Sequence, residues 1–245
     1  MTKSGNRIQK EQSSGRNYGI DLLRILSMLM IVTLHVLRQG GILDTVEDGS
    51  GNYYGVWIFE SLCIGAVDLY ALISGFVGVN SKPRYYKIAN LWLQVEFYCV
   101  LFAVILYTSY PIHFSIPALI NSLAPVSTNQ YWYFTAYFFM FFFTPFYNKL
   151  LNSLSKRQLV YLGSIIFVFS SLWPTIWQRD IFELNNGYSF IWLSLLYVLG
   201  GIIKKTELYK KANPIAMVAV FIVLSLAGAL VLLSWAGLSA NRICL

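Results

Sequence analysis

The chain has 245 residues, 57% hydrophobic, 17% aromatic and only 12% charged, against roughly a quarter charged in a soluble domain, which excludes an ordinary soluble enzyme and marks a polytopic membrane protein. The net charge of +7 does not point to nucleic acid, because the basic residues cluster in short loops between apolar runs, as topology signals do. Cys63, Cys99 and Cys244 lie far apart and match no metal-ligand spacing, so they read as small core residues and no metal site is expected.

Residues 1–17 carry Lys3, Arg7, Lys10 and Arg16 and read as a basic segment, disordered or lying on the membrane surface. The first apolar segment, about 19–38, is long enough to cross a bilayer. An arginine interrupts it and no small-residue cleavage site follows, so it does not read as a signal peptide. It keeps Asp21, Arg24 and His35, although a charge at membrane depth costs at least a few kcal/mol. Arg24 and His35 are eleven positions apart, and eleven steps of about 100° return to within roughly 20°, so both lie on one stripe about 16 Å apart along the axis. Asp21 is placed for an i,i+3 ion pair with Arg24. Two readings stand. Either the charges are snorkelling anchors and the histidine a wetted rim residue, or the stripe faces the protein interior and carries function.

A Gly- and Asp-rich loop without lysine follows. The second span, about 54–79, ends before Lys82-Pro83-Arg84, since proline stops a helix. Asp68 sits in its apolar middle, and Glu60 lies nearer one end. Asp68 reads equally as a packing group and as a functional one. A buried charge needs a partner, and Arg24 is one candidate. Ser74, Gly75 and Gly78 are small residues that let helices approach closely. The third span, about 88–109, contains Glu96, and the loop after it holds His113 between prolines, read as a solvated histidine. The fourth, about 130–150, is densely aromatic, with Pro145 expected to kink it. Its Trp132 and Tyr133 read as interface anchors. The fifth covers about 159–177 and is followed by Arg179, Asp180 and Glu183. The sixth, about 188–203, leads into Lys204, Lys205, Lys210 and Lys211, and the seventh is about 214–236.

The predicted fold is therefore all-α, a polytopic transmembrane bundle of about seven helices. With the N-terminus inside, every lysine and arginine outside the spans lies on the inner side except Arg38, Arg179 and Arg242. The N-terminus is thus expected in the cytoplasm. No internal repeat of the transporter kind is visible. The basic loop of Arg84 and Lys87 reads as a topology signal, or more sharply as an attractor for a phosphorylated cytosolic ligand.

Acyl transfer to a hydroxyl needs a base for the hydroxyl proton and positive charge near the developing oxyanion. His35 suits the first role, with an unperturbed imidazole near neutrality. Arg24 lies too far along the helix to act on the same atom. It is suited to holding a distant anionic part of a donor, or to ordering the site through Asp21.

Asp21-Leu22-Leu23-Arg24 with the Arg24–His35 spacing resembles the opening signature of the bacterial integral-membrane acyltransferase-3 family. The stretch from Val67 to Phe76, VDLYALISGF, resembles a second family element and carries over Asp68, Ser74, Gly75 and Phe76. Arg84 to Lys87 and Tyr131-Trp132-Tyr133 resemble two further, weaker elements. The resemblance implies a membrane-bound O-acyltransferase of the cell membrane, taking an acyl group, most often acetyl, from cytosolic acyl-CoA. The acceptor would be a hydroxyl of a cell-surface or exported polysaccharide or its lipid-linked precursor. It implies His35, Arg24 and Asp21 as the catalytic group, Arg84 and Lys87 for the donor's phosphates, and Asp68, Ser74 and Trp132 in structural or substrate-contacting roles. The family has about ten helices, so residues 18–245 are expected to form its transmembrane domain shortened at the C-terminal end. The rival readings are a transporter or flippase for a lipid-linked glycan, and an inactive truncated homologue.

Overall fold

The computed structural model describes residues 17–109, 115–129 and 131–243, with side chains left aside at 118–119 and 234–243. The basic segment 1–16, His113, Cys244 and the Arg242 side chain lie outside the described residues. Among the described residues the regular structure is entirely helical: α1 (Tyr18–Arg38), α2 (Ile42–Thr45), α3 (Gly51–Cys63), α4 (Ala66–Gly78), α5 (Tyr85–Ser109), α6 (Ile116–Leu123), α7 (Trp132–Ser153), α8 (Lys156–Phe167), α9 (Trp173–Trp177), α10 (Phe190–Thr206) and α11 (Pro214–Ile243). A π-helical turn, Val168–Leu172, joins α8 to α9.

Among the described residues five stretches are long and apolar enough to cross a membrane: Tyr18–Thr45, Gly51–Gly78, Tyr85–Ser109, Lys156–Trp177 and Pro214–Leu233. The other two predicted spans differ for separate reasons. In α7 the Tyr, Trp, Asn and Lys residues lower the hydropathy of a helix that has the length, 22 residues. In α10 the helix has only 17 residues and forms the centre of the bundle, packing on α4, α7 and α8.

Local chemistry explains the helix ends. The Asn17 side chain accepts the N–H groups of Gly19 (3.1 Å) and Ile20 (3.3 Å), satisfying donors that the first turn leaves unpaired. Ser155 and Gln158 form a capping box at α8. The predicted second span is two helices, because the chain turns at Ile64–Gly65 before α4 starts. This moves Asp68 from mid-helix to the first turn of α4, where the helix dipole favours a carboxylate. Pro145 lies inside a continuous α7. Proline cannot pair with the carbonyl four residues earlier, and the Thr144 hydroxyl donates to that carbonyl, Phe141 O, at 2.7 Å. Pro174 would likewise clash with the Ser170 carbonyl in α geometry; the π turn just before it widens the helix at that point.

The core runs along α10. Leu193, Leu196 and Tyr197 pack with Ala71, Ala136 and Met140, and Val198 and Ile202 pack with Val79, Leu151 and Leu159. Backbones of α4 and α10 meet through glycines: a Cβ at Gly75 would lie 1.9 Å from the Tyr197 carbonyl oxygen, and one at Gly200 would lie 2.0 Å from that of Leu72. Asn148 ties three elements together. Its Nδ2 donates to the carbonyls of Gly78 (3.0 Å) and Ser81 (3.2 Å), and its Oδ1 accepts from the Tyr197 hydroxyl (3.0 Å). Helix α11 packs on α3, where the Ser61 hydroxyl donates to Ser225 O at 2.6 Å. After α10, Lys210 and Lys156 flank Glu207, and the hydrogen bond from Lys210 does most to hold that exposed carboxyl below its usual range.

Candidate active site

A cavity of about 630 Å³ opens where α1 ends and α4, α7 and α10 begin. Helix α1 lines it with Ile31, Leu34, His35 and Arg38, a stripe at helical spacing. His35 stands on this wall, and its Nδ1 lies 2.8 Å from the Ile31 carbonyl of its own helix. A neutral imidazole in this position donates from Nδ1 and leaves Nε2 as the unprotonated nitrogen. The bond thus orients the ring and sets the tautomer a base requires.

Arg24 lies deeper on the same helix and does not line the cavity. It pairs with Asp21 at 3.5 Å, as the i,i+3 spacing predicts, and lies in electrostatic reach of the Tyr137 hydroxyl. The candidate Arg24–Asp68 pair does not form. Asp68 lines the cavity, and its Oδ1 accepts from Trp192 Nε1 at 2.8 Å. Trp132 is on the wall too, its ring centroid 4.7 Å from that of Tyr188. Ser74 sits apart, its hydroxyl donating to Tyr70 O at 3.0 Å, a bond within α4 that favours the packing reading of this residue. Arg84 and Lys87 are exposed beyond the far end of α4. The 13 residues of α4 separate them from the cavity by about 20 Å at 1.5 Å per residue. Glu96 keeps one buried carboxyl oxygen without a partner among the described residues.

Sequence reasoning gives several wall residues no role in the site. Glu60 is fully buried, and Arg38 Nε donates to its Oε1, while its Oε2 has no partner among the described residues. The two are 22 positions apart, so no local spacing reveals them. Ser170 and Ser171 of the π turn, Trp192, and the loop at 178–188 complete the wall. The only signals in the sequence were the polar loop itself and its Asn185-Asn186-Gly187 turn residues. Among the described residues, no group of three His, Cys, Asp or Glu stands close enough to hold a metal ion.

The Arg38–Glu60 pair carries a prediction. Arg38→Met leaves a buried carboxyl without its cation and is expected to cost about 3–5 kcal/mol. The double variant Arg38→Met/Glu60→Leu should recover most of that loss. Unfolding in detergent, followed by circular dichroism, measures both.

A family profile described as an acyltransferase domain matches residues 17–243, nearly the whole chain. The chain belongs to the acyltransferase-3 family. It is a multi-pass membrane protein and a membrane acyltransferase. Neither the curated proteins nor the solved structures contain a match to this acyltransferase. The match spans α1 with His35 and every described helix that lines the cavity.

Proposed function

We propose that this acyltransferase moves an acyl group, acetyl in the first instance, from cytosolic acyl-CoA to a hydroxyl of a cell-surface or exported polysaccharide, or of its lipid-linked precursor. The observation that supports this best is His35 on the cavity wall with Nδ1 engaged and Nε2 left as the basic nitrogen.

In this reading His35 Nε2 takes the proton of the acceptor hydroxyl as its oxygen attacks the thioester carbonyl. The C–O bond forms, the C–S bond breaks, and protonated His35 returns the proton to the departing thiolate. Arg24, held by Asp21, supplies positive charge along the donor's path below the cavity. Asp68, held by Trp192, and Trp132 form the acceptor side. Arg84 and Lys87, exposed at the opposite end of α4, attract the donor's phosphates. In this reading these two residues and the N-terminus lie in the cytoplasm and the cavity mouth outside, an arrangement that the distribution of lysine and arginine supports.

The test is transfer of labelled acetyl from acetyl-CoA to glycan in membranes containing the protein. Purified protein that moves lipid-linked glycan across vesicles without consuming acetyl-CoA would support the transporter reading instead. Within the same assay, Arg84→Ala/Lys87→Ala is expected to raise KM for acetyl-CoA about tenfold at low salt. An unchanged donor KM removes the two residues from the donor site.

A further inference from the structure

Resting on the acyl-transfer reading, we propose that the loop at 178–188 is the acceptor-recognition element of the cavity and that Asp180 is the positioning residue that sets its shape. The loop supplies one side of the wall, with Arg179, Asn186 and Tyr188 among its contributions. Its backbone is unusual. Gln178 (φ 51°), Glu183 (φ 52°), Asn185 (φ 54°) and Asn186 (φ 52°) are all left-handed, as is Gly187 (φ 93°). Non-glycine residues in this region are strained and persist only where the surroundings over-determine them, a pattern concentrated at functional sites.

Gln178 is the C-cap of α9, its N–H bonded to Pro174 O, and Asp180 braces the part of the turn from Glu183 to Gly187. Its Oδ1 accepts the Leu184 N–H at 2.8 Å and its Oδ2 accepts the Asn186 N–H at 2.9 Å. Leu184 is buried and pins the loop to the bundle. Asn185 Nδ2 closes the far side by donating to Tyr188 O at 3.1 Å. Both oxygens of Asp180 are therefore committed to backbone. Its neighbour Arg179 is exposed and has no carboxylate partner among the described residues. That leaves a full guanidinium fork on the cavity wall.

The same cavity is lined by flat rings: the loop's own Tyr188 against Trp132, and Trp192 fixed by Asp68. Aromatic faces beside convergent side-chain donors and acceptors suit a ring-shaped polyol, which has apolar C–H faces and a polar rim of hydroxyls. Arg24, Arg84 and Lys87 are not among the residues that line the cavity walled by the loop, so its shape bears on the acceptor and not on the donor.

The test uses the full-length protein in nanodiscs with labelled acetyl-CoA. The acceptor is the host's surface glycan stripped of esters by mild alkali, offered as free polysaccharide in one arm and as the lipid-linked fraction in the other. Asp180→Ala should raise KM for the acceptor about tenfold or more, with KM for acetyl-CoA unchanged and kcat at saturating acceptor within about threefold. Arg179→Ala, which removes no backbone bond, should raise acceptor KM in the same direction, and it decides the matter if Asp180→Ala does not fold. An active wild type with unchanged acceptor KM in the folded variants overturns this inference alone, as does a parallel rise in both KM values. No transfer by the wild type in either arm overturns the acyl-transfer reading and this inference with it.

Discussion

His35→Ala is expected to abolish measurable acyl transfer while leaving the protein in the membrane at wild-type level. A positioned general base contributes about 10²–10⁴ in rate, and among the described residues no other imidazole lines the cavity. The fold should not notice the change. Among the described residues the only side-chain bond of His35 runs to Ile31 O, a carbonyl of its own helix, and the imidazole ties α1 to no other described element. His35→Asn sharpens the test, because its Nδ2, bonded to Cγ as the ring Nδ1 is, can replace the hydrogen bond to Ile31 O but is not basic. Initial rates of labelled acetyl transfer, normalised to protein in the membrane, measure the effect. Either variant retaining more than about a tenth of the wild-type rate would remove His35 from the chemistry.

Gly200→Ala is expected to have the largest effect on folding. The added Cβ would sit 2.0 Å from the Leu72 carbonyl oxygen and 3.0 Å from the Phe76 nitrogen. Both contacts are with backbone, so no side chain can swing away, and α4 and α10 must separate. Overpacking a core against side chains costs about 1–3 kcal/mol, and a backbone clash at the central interface should exceed that range. Gly75→Ala repeats the collision from the other side, against Tyr197 O at 1.9 Å. The control is Gly163→Ala in α8, where the new Cβ would meet Ile202 Cδ1 at 3.5 Å, an ordinary contact. There the gain in helix propensity, about 1 kcal/mol, should dominate and the protein should become slightly more stable. Thermal unfolding of the three variants in one detergent checks the order. Equal midpoints for Gly200→Ala and Gly163→Ala would mean that the α4–α10 contact is not tight.

The two predictions draw on different parts of what the chain makes legible. The Arg24–His35 spacing put both groups on one stripe, and the Asp21–Arg24 pair followed from a three-residue offset; both are local facts of helix geometry. The role of Gly75 was likewise visible as a small residue in an apolar span. Its partner backbone at Tyr197, more than a hundred positions away, was not. The proline at 145 is legible as a site of a kink; that the helix continues through it, with the Thr144 hydroxyl satisfying the freed Phe141 carbonyl, is not. The second span was read as one helix because hydropathy runs unbroken across Ile64–Gly65, whereas the turn there depends on packing against α1 and α10.

Composition and periodicity alone determined that this is an all-helical membrane protein, where its apolar segments lie, and that its first helix carries an ionisable stripe. These depend on residues within a few turns of each other, where spacing and transfer energy suffice. Tertiary structure alone decided that Trp192, not Arg24, holds Asp68, that Arg38 covers a buried Glu60, and that the loop braced by Asp180 shares the cavity wall with His35. Each of these joins elements far apart in the chain. Which polar group meets which is settled by how helices pack when every buried charge and carbonyl must find a partner, and no local pattern encodes that choice.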